Sequence, residues 1–82
     1  MKLLFSLTQD GVRIVLEGKE SVQLDDLRSL SQTLLPAVNK LLEKHHVSVD
    51  DLESIKMQSA IAPVFTSYRI VEATVRSLQL RI

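Results

Sequence analysis

Three short stretches with apolar residues at every second position, separated by two glycine turns, occupy the first third of this chain and restrict its fold more than any other feature. Leu3, Phe5 and Leu7 recur with a period of two, which places them on one face of an extended strand. Asp10-Gly11 follows, a strong hairpin signal because both central residues of such a turn favour positive φ. Val12 to Glu17 alternates again, Gly18-Lys19 makes a second tight turn, and Ser21 to Leu24 alternates a third time. The segment reads as an antiparallel meander.

Two helical units follow. Ser29-x-x-Gln32 has the form of a capping box, with the Ser oxygen accepting from a free backbone N–H and the Gln side chain reaching back. Leu30, Leu34, Val38, Leu41 and Leu42 then recur at helical spacing as far as His45. Pro36 lies inside this run, where it removes one backbone hydrogen bond and is expected to kink the helix. Ser48 to Leu52 reads as a short capped turn, and Leu52 to Ser59, with Ile55 and Met57 between Lys56 and Gln58, as a fourth strand. A last helix is expected from about Thr66 to Leu80. Val64, Tyr68, Val71, Val75 and Leu78 lie along one side and Arg69, Glu72, Arg76 and Gln79 along another, with Glu72 and Arg76 spaced to pair.

The order of elements is βββαβα. A right-handed crossover through the first helix sets the fourth strand parallel to the first and gives the spatial order 3-2-1-4. One sheet face collects Leu3, Phe5, Leu7, Val12, Ile14, Leu16, Val22, Leu24, Ile55 and Met57. The other carries Lys2, Ser6, Arg13, Glu17, Gln23, Lys56 and Gln58, with Leu4 and Val15 as its main apolar members. A sheet covered on both faces would show continuous apolar runs. The expected fold is therefore α/β, an α+β two-layer sandwich: a four-stranded mixed sheet with both helices on one face, forming a single domain over residues 1–82.

Ten basic residues balance ten acidic ones, so no global field gathers nucleic acid or an anionic membrane. There is no cysteine, hence no disulfide frame, no thiolate nucleophile and no sulfur metal site. The apolar start breaks at Ser6 and Thr8, too soon for a signal peptide, and no stretch nears the roughly 20 apolar residues of a membrane span. A soluble cytoplasmic domain is expected.

Four features together carry a family resemblance: the element order, Leu34-Leu35-Pro36 in the first helix, Val47-Ser48-Val49-Asp50-Asp51-Leu52 before the fourth strand, and Phe65-Thr66-Ser67-Tyr68-Arg69 at the start of the second helix. In these the chain resembles the amino-terminal half-domain of the TsaB (YeaZ) family, within the actin-like, sugar-kinase and Hsp70 ATPase superfamily of ribonuclease H-like folds. Family members typically read Leu-Leu-Pro in the first helix and Gly-Pro-Gly-Ser-Phe-Thr-Gly-Leu-Arg before the second. The resemblance covers nearly the whole chain. It implies a non-catalytic partner of TsaD, the enzyme that installs threonylcarbamoyl on an adenosine of certain tRNAs.

The departures bear on chemistry. A phosphate loop needs glycines so that backbone N–H groups can approach the anion. Here Ala60-Ile61-Ala62-Pro63-Val64-Phe65 contains none, and the superfamily's Asp-Thr loop after the first strand is reduced to Thr8-Gln9-Asp10-Gly11. The superfamily's fifth strand has no counterpart after the last helix. Pro63 to Arg69 therefore reads as a structural helix start, and no cofactor is expected. His45-His46 fits dipole placement at a helix carboxyl end better than metal binding, because adjacent residues on a helix do not face each other. Asp25-Asp26 and Asp50-Asp51 precede helical turns, where Asp caps N–H groups. Ser29 and Ser67 have no evident base. Phe65, Tyr68 and Arg69 suggest base stacking less than core packing, given the neutral charge. Neither catalysis nor a metal site is expected, nor direct contact with nucleic acid or membrane.

A binding module remains. The fourth strand lacks an outer neighbour and is open to strand addition, while both helices carry apolar or small residues beyond their main stripes: Leu35 and Leu42 on the first, Ile70, Ala73 and Ser77 on the second. These five are the expected partner interface. In the TsaB family the two helices supply the surface that pairs with TsaD or with a second copy, so the resemblance implies a TsaD-like partner or a homodimer. The alternative is a self-associating structural domain without a role in tRNA modification. A third reading makes the chain a fragment of a longer protein.

Overall fold

The computed structural model describes residues 1–80. Three antiparallel strands come first: β1 (Lys2–Thr8), β2 (Gly11–Leu16) and β3 (Glu20–Leu24). Helix α1 (Leu30–Lys44), a single 3₁₀ turn (Val49–Asp51), β4 (Ser54–Ser59) and helix α2 (Thr66–Gln79) complete the order βββαβα. The strands run β3-β2-β1-β4 across the sheet, with β4 parallel to β1, the arrangement expected of a crossover through α1. The sheet is mixed, four-stranded and carries both helices on one face.

Register explains the core. Leu3 stands opposite Leu16, Phe5 opposite Ile14 and Leu7 opposite Val12, while Leu3 also flanks Ile55 of β4. Because side chains alternate along each strand, these residues share one face. All of them are buried, together with Leu30, Leu34, Val38, Leu41 and Leu42 of α1 and Val71, Val75 and Leu78 of α2. Val22, Leu24 and Met57, toward the sheet margins, are partly buried against the same cluster. The opposite face is crossed by a polar row, Gln23–Arg13–Ser6–Gln58.

Local details differ from expectation in three places. The first hairpin turns on Gln9 and Asp10, and Gly11 is already the first residue of β2, paired with Thr8. Neither Gln9 nor Asp10 takes a positive φ, so the turn is not the mirror-image type that Asp-Gly favours. Glycine is required at 11 itself, both for its φ of 155° and for space: a Cβ there would overlap the Leu24 carbonyl on the neighbouring strand. Gly18 behaves as expected, with φ of 78° in the second turn, where Lys19 N–H donates to the Leu16 carbonyl.

The capping box at Ser29 does not form. Ser29 Oγ donates to Asp26 Oδ2 at 2.9 Å, and Asp26 Oδ1 accepts the Arg28 N–H at 2.9 Å. Ser29 has φ of −101° and ψ of 16°, away from the extended backbone that aims an N-cap oxygen at the helix N–H groups, and its hydroxyl turns back to the carboxylate. The carbonyl of Ser29 still takes the N–H groups of Gln32 and Thr33 and so starts the helix. Helix α1 then runs through Pro36 as one element. Gln32 and Pro36 both lie on its exposed side, so the Gln32 carbonyl, deprived of its N–H partner, is left where water can reach it.

Val64 is the third correction. It is 72% exposed in the loop ahead of α2, not part of that helix's buried stripe. Phe65, the residue preceding the helix, has extended φ and ψ, so the helical periodicity starts only after it. Among the described residues no helix is long and apolar enough to cross a membrane.

Candidate functional site

Strands β1 and β4 run in parallel and end at the same rim of the sheet, where the β1–β2, β3–α1 and β4–α2 loops converge. A pocket of about 370 Å³ opens there, lined by Gln9, Leu27, Ala60, Ile61, Ala62, Phe65 and Ser67. The carboxyl ends of parallel strands are where open α/β sheets hold ligands. The chemistry of this pocket is mostly apolar. None of its lining side chains is charged, and the loop from Ala60 to Phe65 contains no glycine to let a backbone approach a phosphate. Ser59 Oγ donates to the Ile61 carbonyl at 2.9 Å and accepts the Ile61 N–H at 3.1 Å, which closes the loop on itself. Phe65 is 55% exposed beside Val64, so the rim carries an apolar surface that the sequence pattern assigned to the core.

The five residues expected at a partner interface separate on the structure. Leu35 is 41% exposed on α1, on the outward side from buried Leu34 and Val38. Ala73 and Ser77 are exposed on α2, and Ile70, half-buried, continues their stripe while packing partly on the core. Leu42 is only 4% exposed and gives its side chain to the chain's own core, so it has no outward area to offer. Its position one residue after Leu41 suggested a flank of the stripe. The stripe is wide enough to bury both.

The acidic pairs act locally. Asp26 holds the start of α1 as described, and the Arg28 N–H, followed by the Ser29 hydroxyl, lowers its pKa. Asp51 Oδ2 accepts the Ser48 N–H at 2.9 Å and the Ser48 hydroxyl at 3.1 Å, and these bonds lower its pKa in the same order. The histidines part company. His46 takes a left-handed φ of 55° as the chain leaves α1, and its N–H donates to the Glu43 carbonyl. His45 Nε2 lies 2.7 Å from Glu20 Oε1, which also receives Lys44 Nζ at 3.0 Å. Dipole placement alone did not foresee this cross-link between α1 and β3, which joins residues far apart in sequence. Tyr68 packs partly against the core, and Glu72 meets Arg76 at 3.7 Å on the surface of α2.

Among the described residues the fourth strand has β1 on one side and no strand on the other. One carbonyl on that outer edge is covered from above: Gln79 Nε2, at the end of α2, donates to the Ile55 carbonyl at 2.8 Å.

No family model and no curated protein matches the sequence. Solved structures do match the fold. The chain is similar to YeaZ from Pseudomonas aeruginosa, with a TM-score of 0.73 and 27% identity over 99% of this chain and 40% of that one. The fold is that of the TsaB (YeaZ) family. A second structure, an uncharacterized protein from Pseudomonas aeruginosa with similarity to peptidase YeaZ, matches with the same TM-score and identity over 39% of its length. The chain thus spans about two-fifths of the YeaZ structures it matches. The TsaB-like resemblance of the sequence holds across the meander, the crossover and both helices, and the glycine-free β4–α2 loop lines a mostly apolar rim pocket.

Proposed function

We propose that this chain is a non-catalytic protein-interaction module of the TsaB kind, acting in the cytoplasm by pairing with a TsaD-like enzyme of tRNA threonylcarbamoyladenosine biosynthesis or with a second copy of itself. The observation that carries the reading is the likeness to YeaZ over 99% of the chain. The exposed surface supports it. Leu35, Ala73 and Ser77 face outward on the two helices, and Ile70 is half-exposed between them and the core. Leu35 is a large aliphatic side chain turned outward, and such exposed apolar groups on a helix favour a protein partner. The uncharged lining of the rim pocket supports a role without nucleotide chemistry.

A second reading is favoured by one specific observation. The chain spans only 40% of the YeaZ structure, and a domain holding that much of the frame can persist as a self-associating structural unit with no role in tRNA modification. Affinity purification of the tagged chain from its native host separates the two. Recovery of a TsaD-like protein at near-stoichiometric amounts supports the first, and recovery of its own copies alone removes the TsaD-like partner and leaves self-association without a role in tRNA modification.

A further inference from the structure

In a parallel ladder, alternate residues turn both backbone groups toward the neighbour and the others turn both away. Glu17 N–H on the Lys2 carbonyl and Ala60 N–H on the Leu7 carbonyl set the phase, so Leu3, Phe5 and Leu7 of β1 face β4. By the same alternation Ser54, Lys56 and Gln58 face β1, while Ile55, Met57 and Ser59 present their N–H and C=O groups to the outer edge, which no strand among the described residues covers. The Ile55 carbonyl is the one that Gln79 occupies. Its bond at 2.8 Å to a side chain outside the sheet agrees with that outward orientation.

We propose that Gln79 keeps the outer edge of β4 closed to strand addition by a second copy of this chain. Two copies of this edge are complementary in the antiparallel sense. A two-fold axis through Met57 sets Met57 against its own copy and Ile55 against Ser59, each pair exchanging two hydrogen bonds. Lys56 then stands across from Gln58 on the polar face, so no like charges oppose one another. This register needs the Ile55 carbonyl for the Ser59 N–H of the second copy. Gln79 already holds it, and the two-fold axis repeats the block, leaving only the Met57 pair with all its groups free. Covering an edge in this way is a known protection against unwanted pairing. It also leaves the helical face as the surface through which the wild-type chain associates.

The test uses the whole chain and the variants Gln79→Met and Gln79→Ala, which keep helix propensity and remove the donor. Sedimentation equilibrium should show self-association about tenfold tighter than wild type, since each variant frees two carbonyls per dimer. Hydrogen exchange should show the Met57 amide protected at high protein concentration in the variants and unprotected in wild type. Adding Met57→Pro, which removes an N–H that the β1 ladder does not use, should return both readings to wild type. Unchanged association and Met57 exchange in both Gln79 variants would overturn the proposal. So would tighter association that Met57→Pro leaves intact and Leu35→Asp abolishes, because the helices would then be its route. Melting curves of each variant establish that the folded state is the one being compared.

Discussion

Nε2 of His45, at the carboxyl end of α1, lies 2.7 Å from Oε1 of Glu20, the first residue of β3. Lys44 Nζ reaches the same oxygen at 3.0 Å, so one carboxylate ties the last turn of the helix to the far margin of the sheet. Lys44, and after it His45, hold the Glu20 carboxyl below its ordinary value of 4.5. The folded chain therefore binds this proton less readily than the unfolded chain does. The linked stability is fully present above pH 4.5 and is lost as the pH falls through the lower, folded-state value. Melting temperature recorded from pH 7 downward should drop more steeply below pH 4.5 for the wild type than for Glu20→Gln, with the two curves converging at the acid end. Parallel curves would remove Glu20 as a source of the acid sensitivity, leaving Asp26 and Asp51, whose carboxyls are lowered in the same direction.

Adjacent residues of β2 set up a sharper contrast. Ile14 is buried against Phe5 and Val22, whereas Arg13 points to the polar face, where its Nε donates to Gln23 Oε1 at a long 3.4 Å. Ile14→Ala should lower the unfolding free energy by about 2–5 kcal/mol, the range for removing a large buried aliphatic side chain. Arg13→Ala should change it by less than about 0.5 kcal/mol, as for an exposed site. Urea titration of both variants checks the pair, and equal losses would mean the sheet faces are assigned the wrong way round.

The period-two pattern could be read from sequence because burial on one face leaves no freedom of register: a one-residue slip would send Leu3, Phe5 and Leu7 into water. The strand order followed from the crossover rule, and the helical cores from Leu34, Val38, Val71 and Val75. What the pattern could not resolve were choices between near-equal local partners. Ser29 could aim its oxygen into its own helix or turn its hydroxyl back to the Asp26 carboxylate, and its backbone conformation selects the second. Val64 sits four residues before Tyr68, in register with the helical stripe, yet α2 starts at Thr66 and leaves Val64 in the loop. Leu42 fits equally well at the edge of a stripe or inside a wide one. The bonds from Glu20 to His45 and from Gln79 to Ile55 link residues distant in sequence, and no spacing rule reports such contacts.

The rim pocket makes a prediction about nucleotide. Its lining offers Gln9 and Ser67 as polar groups among apolar walls, with neither a cation to meet a phosphate nor a carboxylate to hold magnesium. Titration with ATP and magnesium to millimolar levels should shift the melting temperature no more than buffer of equal ionic strength. A ligand that binds the folded state stabilises it by mass action, so even weak specific affinity raises the melt. A saturable rise, abolished by filling the pocket with Ala60→Trp, would show that the pocket accepts nucleotide after all.

Association through the helices gives the last prediction. Without a heterologous partner the chain is expected to form a homodimer. Persistence at micromolar concentration requires about 8 kcal/mol, which is more readily drawn from buried aliphatic groups than from the strand edge. Backbone bonds there contribute about 0.5–1.5 kcal/mol each, and Gln79 already covers one of the groups required. Leu35 is the decisive residue because it is large, apolar and 41% exposed, so a charge placed there disturbs little of the chain's own core. Leu35→Asp should give a monomer by light scattering with an unchanged melting temperature at low concentration, and Ala73→Asp should act in the same direction. Leu42→Asp should unfold the chain, since burying an unpaired carboxylate in the core is severely unfavourable. Ile70→Asp, at a half-buried position, should lose both stability and association. A wild-type chain that stays monomeric at high micromolar concentration would end the dimer claim, and a Leu35→Asp variant that still dimerises would move the interface off the helices.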